Sequence, residues 1–185
     1  MREWEGRLDQ KSPFSRQPVP KSRKEFDKNV MKRIEANDPV AMREMGKIRV
    51  DEGDYNCAFE YWTKAAELGD AAAHYNLSSM YQKGQGVGRD EKMVLHHLEE
   101  AAIGGHPDAR YNLGCHEGRS GRIERALKHW IIAANLGHDV SLENVKKGYA
   151  KGIVSKEDFA AALRGHQAAM DATKSPQREA AEAAL

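Results

Sequence analysis

Apolar and small residues return along the chain at a fixed interval. The pair Ala65-Ala66 recurs as Ala101-Ala102, and Tyr75-Asn76-Leu77 recurs as Tyr111-Asn112-Leu113, in each case 36 residues later. A period of roughly 20 to 45 residues is typical of a solenoid, in which each unit buries its apolar face only against its neighbours. The pattern therefore predicts much about the architecture and little about a ligand.

The spacing of apolar residues predicts a leading helix over residues 22–36, followed by four helix pairs. Ser22 and Glu25 form a capping box, and Phe26, Val30 and Ile34 recur every four positions as one apolar stripe. We call the first helix of each pair A and the second B. The A helices are predicted at 39–50, 71–83, 107–117 and 139–150, and the B helices at 54–68, 90–103, 121–136 and 156–170.

Three regions follow from these elements. Residues 1–21 contain three prolines and no periodicity, which predicts a disordered N-terminal arm. Residues 22–170 form the predicted repeat array. Residues 171–185 are polar and alanine-rich, which predicts a flexible or frayed helical tail.

Matched apolar positions show where the units differ in length. From helix B to the next helix A the separation is constant, at 18 residues from Leu95 to Leu113 and from Leu127 to Val145. From A to B it is 18 residues between Leu77 and Leu95 but 14 between Leu113 and Leu127. Four residues are thus gained or lost only at the turn inside a unit, where a surface loop tolerates a change of length.

The two faces of an A helix are separated when residues are placed about 100° apart. In the second A helix, Ala73 and Leu77 lie on the packing side, and Tyr75, Ser79 and Gln82 lie roughly opposite. We call these opposite positions the helix-A row. Its other members are Arg43, Lys47, Val50, Tyr111, Cys115, Gly118, Glu143, Lys147 and Ala150. If the A helices line the inner curve of the solenoid, the row forms its concave floor.

The B helices supply the predicted packing positions. These are Ala58, Phe59, Trp62, Val94, Leu95, Leu98, Ala126, Leu127, Trp130, Ala162, Leu163 and His166.

Charge and composition narrow the function classes. The net charge is +1, from 29 basic and 28 acidic residues, so no overall field favours nucleic acid or an anionic membrane. The N-terminus is charged, and no apolar run of 18 residues is present. We therefore predict a soluble cytoplasmic protein with neither a nucleic-acid nor a membrane partner. The two cysteines, Cys57 and Cys115, cannot form a four-thiolate zinc site and are expected to be reduced.

Motifs of catalysis or cofactor binding are missing from the sequence. The glycine-rich run at 84–88 lies between two predicted helices, without the strand that precedes a phosphate-binding loop, so its glycines indicate a tight turn. His96 and His97 are adjacent on a helix and point about 100° apart, which disfavours a shared metal ion. His97 and His129 occupy matched positions in neighbouring units and suggest a polar or aromatic packing ladder. We expect no enzyme activity, no metal and no cofactor.

The second unit carries a family resemblance. Its helix A and the following turn resemble the Sel1-like repeat pattern A-x-x-x-L-G-x-x-Y-x-x-G-x-G-V-x-x-D, with Ser78 in place of one glycine. The matching residues are Ala73, Leu77, Tyr81, Gly84, Gly86, Val87 and Asp90. The segment 58–66 is similar to the family's A-x-x-W-Y-x-K-A-A. The resemblance covers residues 22–170 and implies a right-handed α-solenoid of antiparallel helix pairs, related to tetratricopeptide arrays, that acts as an adaptor for other proteins.

A second resemblance lies in the N-terminal arm. Residues 12–16, Ser-Pro-Phe-Ser-Arg, resemble the C-P-F-C-R ending of a RING-type zinc finger with both cysteines replaced. Serine hydroxyls are poor substitutes for zinc-binding thiolates. The segment is either a remnant without ligands or a chance similarity.

These observations predict a non-enzymatic adaptor or scaffold that binds a protein or peptide segment on its concave helix-A surface. Tyrosine is enriched at binding hot spots, and both charge signs occur in the row, which suits a segment of mixed charge. The predicted contact residues are Arg43, Lys47, Tyr75, Ser79, Tyr111, Glu143 and Lys147. The alternative is a degenerate adaptor of a ubiquitin ligase that presents substrate and has lost its zinc finger.

Overall fold

The computed structural model describes residues 23–173, which fold into nine α-helices without a β-strand. The leading helix is α1 (Arg23–Glu35). The A helices are α2 (Pro39–Asp51), α4 (Ala71–Lys83), α6 (Pro107–Arg119) and α8 (Asp139–Ala150). The B helices are α3 (Tyr55–Glu67), α5 (Glu91–Ile103), α7 (Ile123–Asn135) and α9 (Lys156–Thr173). The predicted all-α solenoid is confirmed, and units one to four are α2–α3, α4–α5, α6–α7 and α8–α9.

Three sequence-based expectations fall outside the described residues: the arm at 1–21 with its Ser-Pro-Phe-Ser-Arg segment, the cap at Ser22, and the tail from residue 174 onwards. Within the described range, α9 extends to Thr173, three residues beyond the predicted boundary at 170. The alanine-rich sequence continues a helix well, and the first strong breaker after it is Pro176.

The helices stack in chain order, because most contacts between helices join consecutive ones; α9 in addition packs extensively on α7, the B helix of the preceding unit. Aspartates hold several of the helix starts. Asp38 accepts hydrogen bonds from the Val40 and Ala41 amides, and Asp70 accepts one from the Ala73 amide at 2.7 Å. Such caps satisfy backbone donors that have no partner inside the helix. The turn between units, whose length is constant in the sequence, thus ends at a capped start of the next A helix.

Small residues form much of the core. Ten alanines from A and B helices have no exposed surface, and alanine allows two helix backbones to approach closely. They are Ala41, Ala58, Ala65, Ala73, Ala101, Ala109, Ala126, Ala133, Ala134 and Ala162. Leu77 and Val145 are the fully buried larger residues at matched A-helix positions. Val30 of α1 is buried against Ala41 and Met45, so the leading helix closes unit one.

A glycine on helix A makes room for a tryptophan on helix B in two of the units. An added methyl group at Gly46 would overlap the indole of Trp62, and one at Gly114 would lie 2.5 Å from Nε1 of Trp130. In unit two, Ser78 occupies the glycine position, and the residue matched to tryptophan is the smaller Leu98. The A and B residues therefore change together, so that the volume between the paired helices is kept.

The predicted packing role of Leu163 is wrong. Its counterpart Leu127 is 5% exposed because Gly148 and Val154 of unit four lie against it. Leu163 in α9 is 43% exposed, since no helix of a following unit lies over it within the described residues. A residue's burial in a solenoid thus depends on the next unit as well as on its own.

Candidate functional site

The helix-A row connects consecutive units. Arg43 of α2 donates a hydrogen bond from Nε to Oδ2 of Asp70 at 3.1 Å, and Asp70 is the N-cap of α4. The ring of Tyr75 in α4 stacks on His106, with 4.4 Å between ring centroids and an interplanar angle of 15°. His106 is the N-cap residue of α6. In each case the row residue contacts the residue that immediately precedes the next A helix.

The same contact recurs at the following junction. Tyr111 of α6 stacks on His138, with ring centroids 4.6 Å apart, and His138 is the N-cap residue of α8. The Nδ1 atom of His138 accepts a hydrogen bond from the Ser141 amide at 3.1 Å. His138 therefore stabilises the start of α8 and also supports one face of the Tyr111 ring. Both row tyrosines remain half-exposed beside these histidines.

The other predicted contact residues lie at the two ends and in the middle of the array. Lys47 in unit one and Lys147 in unit four are exposed, as is Glu143, whose carboxylate lies 3.8 Å from Nζ of Lys146. Ser79 in unit two is half-buried. The row thus presents charge at both ends and aromatic rings between them.

Burial and hydrogen bonding change the ionisation of the row residues. Burial raises the pKa of the Tyr75 hydroxyl, which the charge of Asp108 raises further. A hydrogen bond to Cys115 raises the pKa of the Tyr111 hydroxyl. Burial lowers the pKa of His106. Both tyrosines are therefore neutral at physiological pH and can act as hydrogen-bonding amphipathic contacts.

A cavity of about 440 Å³ lies between two consecutive A helices. We call it the α4–α6 groove. Its walls are Ser78, Tyr81 and Gln82 of α4 and Tyr111, Asn112, Cys115, His116 and Arg119 of α6. Its floor is Val94, Leu95 and Leu98 of α5, and its rim is Arg89, Asp90 and Glu91. Three row residues, Gln82, Tyr111 and Cys115, therefore line one groove, whereas Tyr75 and Ser79 do not.

Residue size explains the position of this groove. Unit one has Phe59 and Trp62 where unit two has Leu95 and Leu98. Phe59 packs edge-to-face against Tyr81 of the next unit, with ring centroids 5.8 Å apart, and is larger than Leu95 at the matched position. The smaller side chains of unit two leave their space open.

The longer turn of unit two forms one rim of the groove. Gly84 and Gly86 have φ values of 71° and 69°, in the left-handed region that glycine adopts without strain. An added side chain at Gly86 would lie 2.5 Å from the carbonyl oxygen of Tyr55, because the turn packs closely on the start of α3. The glycine run is thus a packed turn, as its position between helices predicts.

The matched histidines show two environments. His97 is buried, stacks on Tyr81 with ring centroids 5.5 Å apart, and its Nδ1 lies 3.0 Å from Nδ1 of His74. Burial, with the neighbouring His74 and His96, lowers the pKa of His97 to about 4. His129 is half-buried, and its Nδ1 has no hydrogen-bond partner among the described residues. A group of three or more potential metal ligands is not found in residues 23–173.

Sequence reasoning missed the residues that the row contacts. Asp70, His106 and His138 have one position in common, directly before an A helix. The sequence signal that could have found them is their spacing from the row, since both Arg43–Asp70 and Tyr111–His138 are 27 residues apart.

Cys57 and Cys115 are both free thiols and half-buried. In the described part of the chain, every helix is too short or too polar to span a bilayer.

Comparison with known proteins agrees with this geometry. The Sel1 repeat family matches residues 39–70, 71–106 and 107–138, which coincide with units one to three. A crystal structure of a Sel1 repeat protein from Oxalobacter formigenes superposes with a TM-score of 0.67 at 31% sequence identity, over 83% of this chain and 66% of that one.

Two curated relatives are longer proteins. The chain is 24% identical to DAP3-binding cell death enhancer 1 of Mus musculus over 73% of its own length, and 27% identical to chitin synthase regulatory factor 4 of Schizosaccharomyces pombe over 50%. It spans 34% and 16% of the length of these relatives, respectively.

The stacked helix pairs and the fixed turns between units define the chain as an α-solenoid repeat protein. The chain belongs to the Sel1 repeat family. Sel1 repeats are a non-catalytic fold that mediates protein–protein interaction, and the two relatives carry the names of a binding factor and a regulatory factor.

Proposed function

We propose that this chain is a non-enzymatic adaptor that binds a protein or peptide segment along the surface of its A helices, without a cofactor. The observation that carries this proposal is the α4–α6 groove, whose two walls belong to consecutive A helices and include Tyr111. Extended concave surfaces of this kind are what solenoids use to bind partners. The names of the two relatives support the same class of function.

The row tyrosines provide the test. Tagged wild-type protein and a Tyr75→Ala/Tyr111→Ala double variant are used to capture partners from cell extract, and the recovered proteins are compared by mass spectrometry. We expect the double variant to lose most of the specific partners, because half-exposed tyrosines contribute strongly to binding. Tyr149→Ala is the matched control, since Tyr149 belongs to an A helix but lies outside the row and stacks on Phe159.

A second variant separates binding from folding. Lys47→Glu/Lys147→Glu reverses two exposed charges of the row, and neither lysine forms an ion pair with another described residue. Circular dichroism and thermal melts establish that each variant is folded. Unchanged partner recovery by both double variants would show that the helix-A row is not the binding surface.

A further inference from the structure

We infer that the α4–α6 groove takes an acidic partner segment that carries one bulky apolar side chain between its carboxylates. This inference rests on the proposed function and adds the chemistry of the partner. Three features of the groove support it: an apolar floor, a wall that is fixed by ring contacts, and two arginines at its edge that form no ion pair with a described carboxylate.

The floor fits an apolar anchor. Leu98 is buried, and Val94 and Leu95 are half-buried, packed against the core of unit two. Their upper surfaces line the groove, so an entering side chain of leucine or phenylalanine size would cover them. Unit one has the larger Phe59 at the position of Leu95. The groove is thus preformed for one large apolar group.

The wall is held in place before a partner arrives. Tyr81 lies between Phe59, at 5.8 Å edge-to-face, and His97, at 5.5 Å stacked. On the opposite wall, the ring of Tyr111 is stacked on His138, with ring centroids 4.6 Å apart. Rings that are already ordered lose little conformational freedom on binding, which favours affinity.

The charges at the rim are not equivalent. Arg89 and Arg119 are exposed, and neither forms an ion pair within the described part of the chain. Arg89 donates a hydrogen bond from Nε to the Lys83 carbonyl oxygen at 3.3 Å, which holds its guanidinium group at the rim. Arginine guanidinium groups pair with carboxylates in a two-pronged geometry.

The two carboxylates of the rim interact with the start of α5. Asp90 is the N-cap of this helix and accepts hydrogen bonds from the Lys92 and Met93 amides at 2.9 and 3.2 Å. Glu91 lies in the first turn of α5, where the helix dipole favours a negative charge. Both carboxylates thus already interact with the start of α5, whereas the two guanidinium groups have no carboxylate partner, so the groove complements an acidic segment better than a basic one.

The test uses a phage-displayed library of random 12-residue peptides selected against the full chain, followed by anisotropy measurements with the enriched peptides after fluorescein labelling. We expect enriched peptides to carry Asp or Glu on both sides of one large apolar residue. Arg89→Gln/Arg119→Gln should weaken their binding about tenfold, from a factor of about 3 for each exposed ion pair. Lys92→Gln/Lys128→Gln, which makes the same charge change outside the groove, should change it less than about twofold. Leu95→Phe, which introduces the residue of unit one, should also weaken binding by filling the floor.

Enrichment of basic or uncharged peptides, or binding that is unchanged in Arg89→Gln/Arg119→Gln, would overturn the inference. If the enriched peptides depend instead on Lys47 and Lys147, the inference fails while the proposed function stands. If no peptide is enriched and no partner protein is captured, both fail.

Discussion

Exchanging the packing pair of unit three for that of unit two should reveal a coupling between the two sites. Gly114→Ser places a side chain 2.5 Å from Nε1 of Trp130, and overpacking of this kind typically costs about 1–3 kcal/mol. The better helix propensity of serine returns about 0.5 kcal/mol, so we expect a net loss of about 1–2 kcal/mol. Trp130→Leu alone leaves a cavity and should cost a similar amount, about 1–2 kcal/mol.

The double variant Gly114→Ser/Trp130→Leu recreates the combination of Ser78 and Leu98. We expect its loss of unfolding free energy to be smaller than the sum of the two single losses by at least about 1 kcal/mol. The reason is that leucine at position 130 removes the overlap with the serine at position 114. Unfolding free energies are measured by urea titration with far-ultraviolet circular dichroism, and coincidence with a thermal melt tests for a single transition. Additive single effects, or a neutral Gly114→Ser, would refute the packing argument.

Three further predictions follow from buried or capping groups. The lowered pKa of His97, about 4 compared with 6.5, means that protonation favours the unfolded chain, so stability is full above pH 6.5 and is lost as the pH falls toward 4. Urea titrations at pH 7 and pH 5 should show about 2 kcal/mol less acid destabilisation in His97→Tyr than in wild type, and equal losses would contradict this assignment. Asp70→Ala removes both a helix cap and the ion pair with Arg43, and should cost about 1–2 kcal/mol in the same assay, so a neutral result would exclude both roles. Leu127→Ala should cost about 3 kcal/mol, and Leu163→Ala under about 1 kcal/mol; similar losses would mean that α9 is covered as the inner helices are.

The sequence predicted the fold well because the solenoid signal is local. Helix spacing and cap residues act within one unit, and the 18-residue interval between units is visible without any knowledge of contacts. The contacts of the helix-A row were harder to predict from the sequence, since Tyr75 contacts His106, which lies 31 residues later in the chain and across a unit boundary. Leu163 shows the same limit, because its exposure depends on whether another unit follows, and periodicity alone assigns it the same role as Leu127.

The position of the groove follows from how the units have diverged. Where tryptophan becomes Leu98, the change from glycine to Ser78 preserves the contact between α4 and α5, and the Ser78 hydroxyl is satisfied by the Tyr75 carbonyl oxygen at 2.6 Å. The pair within the unit is thus repacked. The side of Leu95 and Leu98 that faces α6 has no such compensation, because the inter-unit spacing does not shorten. Substitutions that preserve the packing within a unit can therefore open space between units, and the α4–α6 groove lies where unit two departs from the tryptophan-containing pattern.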